Sequence, residues 1–332
     1  MLFHPAILAL YAGSLLVGFM VLYGAPAAWR IWRRWNLRSG SEGQLALERK
    51  TYLVSTLLAY AFGFELLSLF LFVFTAEQLH TFFVGAMCAA GSLYVNPYGY
   101  PTLILKASNC LLVGIWLIVN YADSRGEDYP LIRWKYLFFL GLVPGLLAEL
   151  VLQAAYFLNL QPNIITSCCG ALFSAKRADR PLWTGFLPLL QFQIVFYLVL
   201  IGAIVTGLVT YWKDRGGVLF SLLSLLALVV SVAAIYSFIS PYIYELPTHA
   251  CPFCLLQKDY GYIGYPLYIT LLGAAIAGLS VAVLMPFRRV PTLSRLLPVL
   301  QRRLALTAAV LFLIFLILVT VRILMSGLVL GG

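Results

Sequence analysis

Hydrophobic and polar positions in this chain fall in long blocks, without the alternation of a half-buried strand or the narrow stripe of a surface helix. Eight predominantly apolar blocks cover about 6–28, 51–75, 101–121, 135–158, 186–211, 217–240, 264–286 and 304–327. Each is close to the ~20 residues a helix needs to cross a ~30 Å hydrocarbon core. The pattern predicts an all-α fold, a polytopic membrane helical bundle with eight spans. The first block has no basic residue ahead of it and no small-residue cleavage pattern, and "WRIWRRW" follows it. It therefore reads as a span, not a removable signal peptide.

Composition agrees. The chain has 332 residues, 62% of them hydrophobic and 10% charged, which no soluble globular domain resembles. A net charge of +10 would suggest a nucleic-acid partner in a soluble protein, but its distribution has a simpler reason here. Arg30, Arg33, Arg34, Arg38, Arg49 and Lys50 follow span 1, and Arg125, Arg133 and Lys135 follow span 3. Lys213 and Arg215 follow span 5, and Arg288, Arg289, Arg295, Arg302 and Arg303 follow span 7. These sixteen of the 22 basic residues share one side, which the positive-inside rule makes cytoplasmic. No nucleic acid is expected, and both termini are expected outside. In a bacterium this would be an inner-membrane protein.

That topology sends the loops after spans 2, 4 and 6 outward. They carry Cys88, then Cys168 and Cys169, then Cys251 and Cys254; His4, His80 and His249 also fall outside. Outside a bacterial membrane disulfides persist. A weak repeat accompanies this layout. Tyr52 and Tyr136 each precede a mid-span glutamate, Glu65 and Glu149, by thirteen residues. Spans 3 and 7 open on similar phrases, "YGYPTLIL" and "IGYPLYITL", with proline in the expected first turn, where its missing N–H costs little. Spans 2–3, 4–5 and 6–7 then read as three hairpins of one orientation.

The richest stretch is "ELPTHACPFCLLQKDYGYIGYP", Glu245 to Pro266. A Cys-x-x-Cys at a helix start places two sulfurs within disulfide reach and favours thiolate. The same spacing suits a metal. In "ITSCCGALFSAKR", Cys168 and Cys169 are adjacent, and neighbouring cysteines bond each other only with strain, so one is expected to react elsewhere. Four outer thiols could exchange disulfides. With His249, the set Cys168, Cys169, Cys251 and Cys254 could instead bind a soft metal such as copper, zinc or mercury. Glu65 and Glu149 are costly at mid-span, and read either as proton relays or as neutral acids bonding two helices. Cys88 and Cys110 read first as buried small residues. The outer tyrosines, including Tyr244, Tyr260 and Tyr265, form an interfacial belt. No Gly-rich phosphate loop, Cys-x-x-Cys-His haem site or intraspan His pair occurs, so neither nucleotide nor haem is expected.

The order of these elements resembles the vitamin K epoxide reductase family of membrane thiol oxidoreductases. Span 4 is followed by a long outer loop in which Cys169, Phe173 and Ser174 match the family's loop phrase. A span, a short turn and a span follow, and Cys251–Cys254 comes 82 residues after Cys169. The resemblance covers about 135–285. It implies a four-helix bundle over spans 4–7 holding a quinone. Cys251 would exchange with a loop cysteine such as Cys169, Cys254 would face the quinone, and an extracytoplasmic thiol protein would supply electrons. Two features depart from the family: Gln161 stands where a second loop cysteine is usual, and "LLQKDYGYIGYP" separates the pair from the next helix.

The expected regions are 1–134 with spans 1–3, a 135–287 four-helix redox-like bundle, and 288–332 with a basic loop and the last span. The expected function is an integral membrane thiol–disulfide oxidoreductase passing electrons through Cys168/Cys169 and Cys251/Cys254 to a membrane quinone. The alternatives are a thiolate metal-handling membrane protein and a structural subunit of a membrane complex.

Overall fold

The computed structural model describes residues 4–36, 41–126, 128–161 and 189–328. Among these the protein is helical with no strand element, and eight helices are long and apolar enough to cross a membrane. They are α1 (Pro5–Arg34), α2 (Glu42–Leu79), α4 (Gly99–Ser124), α5 (Ile132–Leu158), α6 (Leu189–Lys213), α7 (Gly217–Ala234) with its continuation, α9 (Gly264–Leu284) and α10 (Leu296–Met325). Short helices α3 (Ala89–Tyr94) and α8 (Ser240–Tyr244) lie between them. All eight sequence blocks become helices, so the chain is an all-α polytopic integral membrane protein. Large apolar side chains such as Phe19, Tyr60 and Leu222 point outward along the spans, as lipid-facing residues must. The two similar phrases behave alike: α4 and α9 both begin on Gly-Tyr-Pro, at Gly99 and Gly264.

Two compact units divide the chain. The first comprises 1–75, 95–161 and 286–300, and the second 76–94, 162–285 and 301–332. The region expected over 135–287 thus contributes α5 to the first unit and α6 to α9 to the second.

In the first unit α1 and α4 both pack on α5. Phe62, Trp116 and Phe139 form its aromatic centre; Phe62 meets Trp116 edge-on at 4.9 Å between ring centroids. The Trp116 indole N–H donates to the Lys135 carbonyl at 3.0 Å, which satisfies a buried donor that lipid cannot. Lys135 is not the loop charge its sequence position suggested. It is buried in α5, its ammonium 2.6 Å from Asp123 Oδ2, and Asp123 Oδ1 accepts the Leu131 N–H at 2.9 Å.

In the second unit α7 packs between α6 and α9. Lipid tails are as apolar as leucine, so membrane helices associate through close packing and hydrogen bonds instead of hydrophobic segregation. Gly278 on α9 shows the closeness: a Cβ there would stand 2.4 Å from Ser224 Oγ on α7. Ser221 Oγ on α7 donates to the Gly278 carbonyl at 2.7 Å, and Gln301 Nε2 on α10 donates to the Val281 carbonyl at 2.9 Å.

Candidate functional site: a cluster of three thiols

The site lies wholly in the second unit, where three stretches of chain converge. The first is the end of α2 and the loop after it. Glu77 in the last turn of α2 accepts the Ala89 N–H on Oε2 at 2.7 Å, fixing the start of α3. Cys88 immediately precedes α3, and its carbonyl accepts the Gly91 N–H at 3.0 Å.

The second stretch is the end of the sixth span. After Ala234 the helix passes through one π turn, Ile235–Ile239, before resuming as α8. A π turn holds one residue more than an α turn needs. It sets the angle at which Tyr244 leaves the helix, and Glu245 then ends it in the left-handed region at φ 54°.

The third stretch is the cysteine pair. It does not open α9. Cys251 lies in non-helical chain and Cys254 begins a single 3-10 turn, Cys254–Leu256. The sequence "QKDYGYIGYP" fills the gap with a second 3-10 turn, Lys258–Tyr260, and a left-handed Gly261, and α9 begins at Gly264. Three side chains hold this turn. The Tyr244 hydroxyl donates to the Cys251 carbonyl at 2.5 Å, and the Tyr268 hydroxyl to the Pro252 carbonyl at 2.6 Å. Gln257 Nε2 reaches back to the first stretch, donating to Glu77 Oε1 and to the Met87 carbonyl, each at 2.7 Å.

The outcome is a cluster of three buried sulfurs, Cys88, Cys251 and Cys254, all within 4.8 Å of one another. Cys88 Sγ and Cys251 Sγ are 3.5 Å apart, and none of the four described cysteines is in a disulfide. Since Cys88 follows α2 and Cys251 follows α8, these two helix ends lie at the same side. His249 Nε2 is 3.4 Å from Cys254 Sγ, and the His249 ring meets Tyr244 edge-on at 4.7 Å.

These contacts divide the protons among the thiols. Hydrogen bonds from Cys254 first, then Cys88, with the Cys254 and Phe253 amides, hold the Cys251 thiol well below the ordinary cysteine value despite burial. Cys254 shifts the other way: it is the donor to Cys251, it also bonds Cys88, and burial adds to the effect. Burial lowers His249, so its imidazole is neutral at neutral pH and can accept a proton beside Cys254.

Of the residues expected from sequence, Cys251, Cys254 and His249 meet at this site. Cys168 and Cys169 lie outside the described residues. Glu65 and Glu149 lie in the first unit, both buried, with Lys106 between them. Sequence reasoning missed Cys88, which stands 163 positions from Cys251. The available signal was its place on the same side as the pair and the "MCAAG" phrase that echoes "SCCGA". Comparison of the chain with protein-family models, with curated proteins and with solved structures gives no match, so the site's own geometry must carry the functional argument.

Proposed function

We propose that the protein is an integral membrane thiol–disulfide oxidoreductase with Cys88, Cys251 and Cys254 as its redox centre. One observation carries this reading: Cys251, the thiol most readily ionised, is a near neighbour of two other sulfurs at once. A disulfide needs ~2.05 Å between sulfurs, so either partner closes on Cys251 by a small side-chain rotation. Cys251 can therefore trade one disulfide for another. The Cys88 thiolate attacks Cys251 Sγ of a Cys251–Cys254 disulfide, the Cys88–Cys251 bond forms, and Cys254 leaves as thiolate. Neutral His249 assists the proton traffic of Cys254.

Cys88 and Cys251 have no solvent exposure and Cys254 almost none, so a bulky protein disulfide cannot reach them directly. A carrier thiol must bring electrons in. Cys168 and Cys169, on the loop that resembles the vitamin K epoxide reductase phrase, are the proposed carriers from an extracytoplasmic thiol protein. The same resemblance makes a membrane quinone the proposed acceptor. With Cys251 already a thiolate, closing the Cys251–Cys254 disulfide releases two electrons and the Cys254 proton, and a second proton taken from water completes the conversion of quinone to quinol. The basic loops support an extracytoplasmic position for this chemistry by the positive-inside rule.

The test is thiol trapping in native and quinone-depleted membranes. Depletion should shift Cys251 and Cys254 from disulfide to thiol, and added quinone should restore the disulfide. A redox state that ignores quinone sinks the reading.

A second reading has its own support. Three thiolates at ~2.3 Å from one ion stand roughly 4 Å apart, which suits this cluster, and His249 is placed to become a fourth ligand by moving toward Cys88 and Cys251. The protein would then bind a soft metal such as Cu(I), Zn(II) or Hg(II). Stoichiometric binding of such an ion, lost in Cys88→Ser and indifferent to quinone, would favour it.

A further inference from the structure

The first unit holds a second group of reactive side chains that the thiol chemistry does not use. Glu65 on α2, Lys106 on α4 and Glu149 on α5 are each at most 3% exposed. Lys106 Nζ lies 2.6 Å from Glu149 Oε1, 2.9 Å from Ser68 Oγ and 3.8 Å from Glu65 Oε1. Asn109 Nδ2 donates to Glu149 Oε2 at 2.6 Å, so both Glu149 oxygens have strong donors. Glu65 is served less well: its Oε1 accepts the Ser68 hydroxyl at 3.1 Å, and the ammonium stands further off. Phe72 covers the ammonium from 5.8 Å.

Charge decides what this group is. One ammonium and two carboxylates would leave a net negative charge in the hydrocarbon region, where an unpaired ion costs several kcal/mol. The group is neutral only with one added proton. The contacts say where that proton goes. The two carboxyls share one ammonium unequally, 2.6 Å from Glu149 Oε1 and 3.8 Å from Glu65 Oε1. Glu149, holding the ammonium and the amide, is the ionised partner, and Glu65 is the acid. Among the described residues, Cys110 on α4 is a further titratable side chain close to both carboxyls. On α1, which packs against α5, Tyr11 donates its hydroxyl to the Ala154 carbonyl.

We propose that Glu65, Lys106 and Glu149 form an intramembrane proton-binding site that takes up and releases a single proton on Glu65, with Ser68 bridging Lys106 and Glu65. The Asp123–Lys135 pair in the same unit is the internal contrast. It has one carboxylate and one ammonium, is neutral as it stands, and needs no proton. The site uses none of Cys88, Cys251 and Cys254, so the proposal survives or falls independently of the thiol reading.

Infrared difference spectroscopy of the full chain in proteoliposomes tests it through the carbonyl stretch of a protonated carboxyl. The wild type should show one such group, shifted in deuterated water and bleached reversibly at alkaline pH. Glu65→Gln should abolish it, because Glu149 and Lys106 then balance without a proton. Cys251→Ser should leave it intact. A wild type with no buried protonated carboxyl, or one that never bleaches between about pH 5 and 10, overturns the proposal, and that titration decides the matter even if the Glu65 variant fails to fold. Survival of the band in a folded Glu65→Gln protein also overturns it.

Discussion

The two units solve the same problem differently. Both must bury polar atoms among apolar helices, where no water satisfies them. The first unit buries charges and pairs them across helices: Lys106 with Glu149, and Lys135 with Asp123. The spans of the second unit bury hydroxyls and return most of them to their own helix. Thr210 bonds the Thr206 carbonyl, Ser224 that of Phe220, and Ser280 that of Ile276. Its charged and reactive groups, Glu77 and the thiols, sit at the ends of spans. The difference teaches where each unit is brittle. In the first, a single side chain can strand an ion. In the second, fit between backbones matters more than charge, and the thiol cluster depends on a few loop contacts.

Substitutions can break this contrast. The largest effect is expected for Lys106→Met, which strands the Glu149 carboxylate. It should cost about 3–5 kcal/mol, read by denaturant titration in detergent micelles, and adding Glu149→Gln should recover much of it. If the single variant is as stable as the wild type, the first unit does not rest on charge pairing. Gly278→Ala comes next. Its Cβ would lie 2.7 Å from Ser224 Cβ, and overpacking of this kind costs about 1–3 kcal/mol. Ser224→Gly should relieve it, whereas no charge change should.

Gln257→Ala sharpens the contrast within the second unit. It removes two 2.7 Å bonds that tie the cysteine turn to Glu77 and Met87. About 1–2 kcal/mol of local stability should be lost, seen as faster amide exchange over residues 85–94 with the first unit unchanged. The smallest effect concerns pH. The folded Cys251 thiol ionises below the ordinary value of ~8.5, so its contribution to stability is complete above that value. It is lost as pH falls through the lower, folded value. Far-ultraviolet thiolate absorbance should therefore persist at neutral pH in the wild type and vanish in Cys251→Ser.

Much of this was legible in the sequence. A span announces itself because about twenty apolar residues in a row have few other uses, and each of the eight blocks became a helix. The Cys251–Cys254 pair was legible because its spacing is local. Glu65 and Glu149 stood out because a mid-span carboxylate is expensive. What escaped were partners that meet only through tertiary packing. Cys88 had no cysteine near it in sequence, so its reading as a small buried residue described its burial and missed its company. Lys106 lay in "LILKASNC", seven residues into α4, and the reasoning that flagged the glutamates applies equally to a lysine there. The form of the cysteine pair stayed open: "QKDYGYIGYP" delays α9 to Gly264, which allowed either a short helix or a loop around the pair, and the structure has Cys251 in a loop and Cys254 in a single 3-10 turn.

The π turn at Ile235–Ile239 has a consequence for how the gene can vary. Deleting one residue there would keep the segment as apolar and as able to span a membrane as before. It would also turn the rest of that helix, α8, by about 100° about its axis, one residue's worth of rotation, while Gln257 keeps the cysteine turn tied to Glu77 and Met87. Tyr244 would swing away from His249 and from the carbonyl of Cys251. The sixth span therefore serves as a length standard for the loop that carries the cysteine pair as well as a membrane anchor. Single-residue deletions within it should insert normally into the bilayer and still lose the thiol cluster.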